Sequence, residues 1–240
     1  MPVDGAFVRH LDLTGAVCTS RSGRRVVAHF GSPGGELAAC LTRAGLTVRA
    51  DLAAFSLTAD ASRLELLARR MTALDLRPGG VSFVGGTTAW CRTADGSALR
   101  VVLPAARAAS GRSALTSEAV HRVGGVLGPP LAVLQLVGPT ASAVLADLGA
   151  FGPSRDPSRG APHVDLVLAG RPAFVVAESM SSFLVVVEDD AAVDAWRAIG
   201  DAGRRHGLCP VGVEAVRRSA VHARQRERLS GPFTVPDGGS

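Results

Sequence analysis

Leu131-Ala132-Val133-Leu134-Gln135-Leu136-Val137-Gly138-Pro139-Thr140-Ala141 sets the plan of the chain. Apart from Gln135 the residues up to Val137 are apolar, which reads as a buried strand. Gly138-Pro139-Thr140 then turns the chain, and Ala141, Val144, Leu145 and Leu148 recur at helical spacing until Gly149 ends the run. The first half has the same order. Ala53 to Thr58 reads as a strand, and Asp60 caps a helix carrying Leu64, Leu67, Met71 and Leu74 as far as Pro78-Gly79-Gly80. Leu57-Thr58-Ala59-Asp60-Ala61-Ser62 and Leu136 to Ser142 each place an Ala-Ser pair at a helix start after a strand, which suggests an internal pseudo-repeat.

Working outward, Arg24 to Phe30 reads as a strand, and the turn Ser32-Pro33-Gly34-Gly35 leads into a helix. Its apolar face is Leu37, Cys40, Leu41 and Ala44, and Gly45 stops it. Val81 to Val84, Thr88 to Arg92 and Ala98 to Leu103 are short strands, the last two joined at Asp95-Gly96. Gly111 to Thr116 begins a polar connection, and Gly152 to Pro162, with three prolines, reads as an exposed loop. His163 to Leu168, Pro172 to Ala177 and Phe183 to Glu188 are strands. Asp189 and Asp190 favour a helix start, with Val193, Trp196 and Ile199 as its buried stripe. A last helix spans about Glu214 to Arg228, and 230–240 is expected to fray. Strands broken by helices, with hairpin-length connections, point to an α+β fold with antiparallel sheets. A doubly wound parallel sheet is disfavoured, because no G-x-G-x-x-G or Walker loop is present.

Composition bounds the function. The chain has 240 residues, 47% apolar and 20% charged, with net charge +5, so it is globular rather than disordered. All 26 basic residues are Arg. Arg204 to Arg228 hold seven arginines against two glutamates and account for the whole net charge. Such a patch can face an anionic ligand or partner, or simply water. Nucleic acid is disfavoured, since no aromatics interleave with these arginines and no recognition motif accompanies them. No apolar run approaches the roughly 20 residues of a membrane span, and the start Met-Pro-Val-Asp does not resemble a secretory signal, so a cytoplasmic protein is expected. Cys18, Cys40, Cys91 and Cys209 form no C-x-x-C pair and the six histidines are scattered, so no metal site is expected.

Several segments, in order, resemble the folate-binding part of the aminomethyltransferase family, which includes the glycine cleavage T-protein, folate-dependent demethylases and the folate domains of sarcosine oxidases. His29-Phe30-Gly31-Ser32 with Glu36 resembles the family's Tyr-Gly-Ser…Glu entry, and Gly45-Leu46 its "GL-x-D-x-S" strand start. Leu74-Asp75-Leu76-Arg77-Pro78-Gly79 resembles the "L-x-PG" helix end, and Leu134 to Ala141 the "L-x-LQGP-x-A" strand-turn-helix. Gly207-Leu208-Cys209-Pro210-Val211-Gly212-Val213-Glu214-Ala215 resembles "GL-x-P-x-GL-x-A", the most specific of the set. The resemblance covers roughly residues 25 to 225. It implies two intertwined antiparallel-sheet-plus-helix lobes around a central channel for tetrahydrofolate, formed here by residues 1–229 with 230–240 as a tail. Members usually add a C-terminal barrel domain, which this sequence is expected to lack. In that it resembles the γ subunit of sarcosine oxidase, which implies a larger partner subunit or a homo-oligomer.

The departures bear on chemistry. Where the T-protein has an aspartate pair after Gly-Gly, this chain reads Gly85-Gly86-Thr87-Thr88-Ala89-Trp90-Cys91. A missing acid/base group is typically worth about 10²- to 10⁴-fold. The aspartate and serine of "GL-x-D-x-S" are replaced by Val48 and Ala50. The family's pterin-binding glutamate lies in a hairpin that here reads Val175 to Phe183. Register from Phe183 puts Met180 at its place, and a two-residue slip would put Glu178 there; otherwise Glu178 is a strand-end carboxylate. The resemblance thus implies Glu178, Phe30, Trp90, Arg217 and Arg218 as cofactor-binding residues, the arginines as contacts for a carboxylate tail. His29 and Cys91 are the candidates for any catalytic role, against the commoner readings of His29 as a satisfied strand histidine and Cys91 as a thiol with no sequence neighbour to activate it. The expected function is tetrahydrofolate-dependent aminomethyl or methyl transfer involving a small amine or methylated compound, without the usual catalytic carboxylate. The alternatives are a non-catalytic folate-domain subunit of a larger complex and an enzyme using the channel for another small molecule.

Overall fold

The structure is a computed structural model that describes residues 10–11, 15–21, 24–73, 75–84, 88–108, 124–150 and 163–229. The expected polar connection at Gly111 to Thr116, the loop at Gly152 to Pro162, Leu74, Gly85 to Thr87 and the tail lie outside these residues.

The chain enters through a two-stranded ribbon, β1 (Val17–Arg21) and β2 (Arg24–His29), and passes into helix α1 (Pro33–Thr42). Ser32 caps α1 by accepting from Gly35 N at 3.3 Å. The helix stops before Ala44, which opens strand β3 (Ala44–Val48) instead of extending the helical face. Apolar spacing cannot distinguish the two states here. What decides is that β3 lies between β9 (Leu131–Val137) and the short β13 (Leu208–Pro210), both remote in sequence.

Strand β4 (Leu52–Thr58) leads to helix α2 (Ala61–Thr72), where Asp60 accepts from Ser62 N at 3.0 Å. α2 ends at Thr72, short of the run to Pro78, with Ala73 left-handed at φ 57°. Next come β5 (Val81–Val84), β6 (Thr88–Arg92) and β7 (Ala98–Pro104), then β8 (Val126–Leu127), β9 and helix α3 (Ala141–Asp147). The second half continues with β10 (His163–Leu168), β11 (Arg171–Ser179) and β12 (Ser182–Glu188). A single turn at Asp189–Ala191 precedes helix α4 (Ala192–Gly203), and β13 leads to helix α5 (Val213–Leu229). The Asp189–Ala191 turn runs directly into α4, so Asp189 and Asp190 stand at the helix start, and Asp190 also pairs with Arg171 at 2.9 Å.

One curled sheet runs β10-β11-β12-β9-β4-β7-β6-β5, antiparallel along that path, with β3, β8 and β13 attached and β13 parallel to β3. This is the α+β architecture expected. Its outer faces carry helices. Leu134, Leu136, Phe183 and Val185 pack against Val144 and Leu145 of α3 and Trp196 and Ile199 of α4. Leu57, Trp90, Leu99 and Val101 pack against Leu64 and Leu67 of α2. The two half-sheets face each other across a third core of Ala89, Cys91, Val102, Phe174, Val176 and Leu184. The lobes interleave because β3, from the first half of the chain, belongs with β9. β4 and β9 meet at the centre with Ala54 opposite Leu131.

Candidate functional site: a cavity where the chain crosses between half-sheets

The turn from β3 to β4 carries the chain from one half-sheet to the other, closed by Leu52 N donating to Arg49 O at 2.8 Å. Arg49 and Asp51 therefore sit at the crossing point. Beside them is a cavity of about 200 Å³ lined by Arg49, Leu52, Phe83, Ala89, Val102, Glu178 and Leu184. Its apolar wall continues the core between the half-sheets, and its polar end is one connected network. Arg49 Nε and Nη2 donate to Asp51 Oδ1 and Oδ2 at 2.8 and 3.0 Å, a bidentate pair. Arg49 Nη1 donates to Gln135 Oε1 at 2.5 Å. Gln135 Nε2 donates to Glu178 Oε2 at 2.6 Å and to Ser182 Oγ at 3.0 Å, and Ser182 Oγ donates to Glu178 Oε2 at 2.8 Å.

Strand register brings these groups together. Gln135 faces Leu184 on β12 and Thr47 on β3, so Ser182 and Arg49, each two residues on, share its face of the sheet. Burial would raise the Asp51 carboxyl, but the Arg49 hydrogen bonds and the charges of Arg49 and Arg21 hold it below the usual range. Asp51 is thus ionised and already committed to Arg49. Glu178 also lines the cavity, exposed at its rim, and among the described residues its Oε1 meets no hydrogen-bond donor. Arg49 has five N–H donors and commits three to the described residues, leaving one on each Nη. The cavity therefore offers an open acceptor at Glu178 and open donors at Arg49, above an apolar wall.

Of the residues expected from the sequence, Glu178 lines this cavity. Trp90 is on the opposite face of β6 and packs under α2. Phe30 stacks on Trp196, ring centroids 6.2 Å apart, in the core beneath α4. Arg217 and Arg218 pair with Glu214 on α5, at 3.2 and 3.3 Å. His29 Nδ1 accepts from Gly31 N at 3.0 Å and so shapes the turn into α1. Cys91 is fully buried, and burial pushes its thiol up to about 12 against the opposing charge of Arg100, so it stays protonated at neutral pH. Arg49, Asp51, Gln135 and Ser182 were not singled out from the sequence. Arg49 and Gln135 could have been, since each is a polar residue at the end of, or inside, an otherwise apolar strand run. The basic segment is partly neutralised within the fold: Arg204 pairs with Asp201 and Arg205 with Asp147.

The described residues contain no group of three or more His, Cys, Asp or Glu able to hold a metal, and no helix long and apolar enough to cross a membrane.

No family model matches the sequence, and no curated protein matches it. Solved structures do. Glycine cleavage system aminomethyltransferase T from Bartonella henselae is similar with a TM-score of 0.64 and 17% identity. The match covers 87% of this chain but 59% of that one, so the chain spans less than two thirds of that protein's length. A chain of the heterotetrameric sarcosine oxidase from Corynebacterium sp. U-96, solved with pyrrole 2-carboxylate, is similar with a TM-score of 0.52 and 19% identity, over 75% of this chain and 97% of that one. The chain has the fold of these two proteins, the aminomethyltransferase and sarcosine oxidase fold that the motifs resemble.

Proposed function

We propose that the chain binds tetrahydrofolate by its pterin head in the cavity between the half-sheets and serves one-carbon transfer to or from a small amine or methylated compound. The observation that carries this reading is Glu178 at the cavity rim, held by Gln135 and Ser182 with one carboxylate oxygen open. The donor set fits the group: a pterin edge presents N–H donors beside a carbonyl acceptor, matching an open carboxylate beside open guanidinium donors. The flat apolar remainder of the ring suits Leu52, Phe83, Ala89, Val102 and Leu184. A volume of about 200 Å³ suits a head group, leaving the rest of the molecule at the mouth.

When bound, tetrahydrofolate would supply the nitrogen that carries the one-carbon unit. The chain's own part is to orient the ring through Glu178 and Arg49 and to keep water from the apolar wall. It brings little acid/base capacity, because Asp51 is tied to Arg49 and the Cys91 thiol is neutral and buried. The test is anaerobic calorimetric titration with tetrahydrofolate. Micromolar binding is expected, weakened about 10- to 100-fold in Glu178→Gln, the worth of one charge-assisted hydrogen bond. A folded chain that binds no tetrahydrofolate overturns the proposal.

A second reading, a folate-domain subunit without turnover of its own, is favoured by one observation. The match spans 97% of one chain of an oxidase described as heterotetrameric. That reading expects the chain to be recovered from its native source in a complex of larger mass, measurable by native mass spectrometry.

A further inference from the structure

Gln135 gives the polar end of the cavity a direction. Its amide oxygen accepts a hydrogen bond from Arg49 Nη1 and its amide nitrogen donates one to Glu178 Oε2, the orientation that a guanidinium, which can only donate, and a carboxylate acceptor require: Arg49 is the donor end and Glu178 the acceptor end. Side-on pairing with Asp51 holds the guanidinium plane, and its remaining N–H groups, one on each Nη, belong to a side chain that lines the cavity. Buried or half-buried donors that meet no acceptor on the ligand are left unpaired, and a site built this way rejects the mismatched analogue strongly. Arg49 stands where the motif resemblance offers no counterpart, one residue beyond Val48.

We infer that Arg49 is a specificity-determining residue: it requires of the ligand an oxygen acceptor next to the N–H group that Glu178 takes. The inference rests on the pterin reading above and sharpens it. A 4-oxo pteridine presents its carbonyl oxygen to Arg49 and the adjacent ring N–H to Glu178. A 4-amino pteridine presents an amino donor to the guanidinium and a bare ring nitrogen to the carboxylate, so both contacts become mismatched. The site therefore selects the 4-oxo over the 4-amino ring, and Gln135 acts as a positioning residue that keeps the two ends in that order.

The test compares binding of tetrahydrofolate with that of its 4-amino counterpart, tetrahydroaminopterin, by anaerobic titration calorimetry. The chains compared are the wild type, Arg49→Met and Arg49→Lys, each confirmed folded by circular dichroism. In the wild type the 4-oxo compound is expected to bind roughly 30-fold or more tighter, as for loss of a charged hydrogen bond that leaves its partner unpaired. Arg49→Met removes the donors and is expected to bring the two affinities within about 3-fold, mainly by weakening the 4-oxo compound. Arg49→Lys keeps a charge for Asp51 but not the planar donor set; it retains only part of the preference and serves where Arg49→Met fails to fold. If tetrahydrofolate binds but the wild type does not discriminate, or the folded variants keep the full preference, the role of Arg49 is overturned while the binding proposal stands. If neither pteridine binds the wild type, both fall.

Discussion

Gly212→Ala is expected to lower the stability of the fold by at least about 3 kcal/mol, roughly 6–12 °C in melting temperature for a chain of this size. A Cβ at Gly212 would lie 1.8 Å from Ala28 O, 2.2 Å from its carbonyl carbon and 2.6 Å from His29 N. All three are backbone atoms of β2, so no side chain can rotate away, and either β2 or the start of α5 must move. That movement also breaks a buried clamp. Glu36 is 6% exposed; its Oε2 accepts from Gly212 N at 2.8 Å, and its Oε1 from Phe30 N at 2.7 Å and Ser32 N at 3.3 Å. One carboxylate on α1 thus ties the exit of β2 to the entry of α5. Glu36→Gln keeps the shape but removes the charge and one acceptor oxygen, and is expected to lose about 1–3 kcal/mol. Because both substitutions break the Glu36–Gly212 bond, the double variant should lose less than the sum. Thermal and urea denaturation measure all three; a Gly212→Ala chain within 1 kcal/mol of wild type would mean that β2 and α5 do not meet this closely.

The same clamp shows which part of the molecule its sequence expresses locally. The segments that resemble a known family encode close approach rather than chemistry. Gly212 admits the β2 backbone, and Gly138, at φ +117°, sits where a Cβ would come 2.3 Å from Arg43 O. These are short-range demands, so they leave glycine at fixed places in the chain. The central strands β9, β11 and β12 are equally legible, because their middle residues are buried on both faces and almost all apolar. β1, β8 and β13 are not. Val17–Arg21 is largely polar, and β8 and β13 exist only because Thr58 and β3, far along the chain, supply their partners.

The cavity divides in the same way. Glu178 is legible as the acid at the end of an apolar hairpin strand. Its network is not, since the partners Arg49, Gln135 and Ser182 come together only through the antiparallel register of β3, β9 and β12. Register is a property of strand pairs rather than of any one segment. The residues passed over, polar side chains interrupting apolar strands, are the sign by which such a network can be sought. A buried polar group costs least when it is paired, and for Gln135 the partners come from β11, β12 and the turn after β3.

At the other end of the same inter-sheet core, acidification should destabilise the fold through His163. The imidazole is 5% exposed; its Nε2 lies 2.9 Å from Arg100 Nη1, and its ring is 5.5 Å from that of Phe174. Arg100 lies over the Phe174 ring at 4.5 Å, pairs with Asp165 and has Cys91 opposite it on β6. β10, β11, β6 and β7 are thereby clasped across the two half-sheets. Burial, then the charge of Arg100, pushes the His163 imidazole down to about 4, with Asp165 opposing. The unfolded chain, with its histidine near 6.5, therefore takes up the proton first on acidification. Stability from this group is complete above about pH 6.5, falls as the pH drops towards 4, and levels off below, a loss of about 3 kcal/mol. His10, lowered by burial and by Arg197, acts in the same direction, whereas the depressed carboxylates Asp51 and Asp147 lose their contribution only below about pH 4. His163→Gln keeps an acceptor for Arg100 and cannot titrate. Urea denaturation of both chains from pH 7.5 to 4 should show wild type losing about 3 kcal/mol more than the variant across that window. Parallel curves would mean that the His163 imidazole takes up its proton equally readily in the folded and unfolded chains, with Asp165 offsetting burial and Arg100.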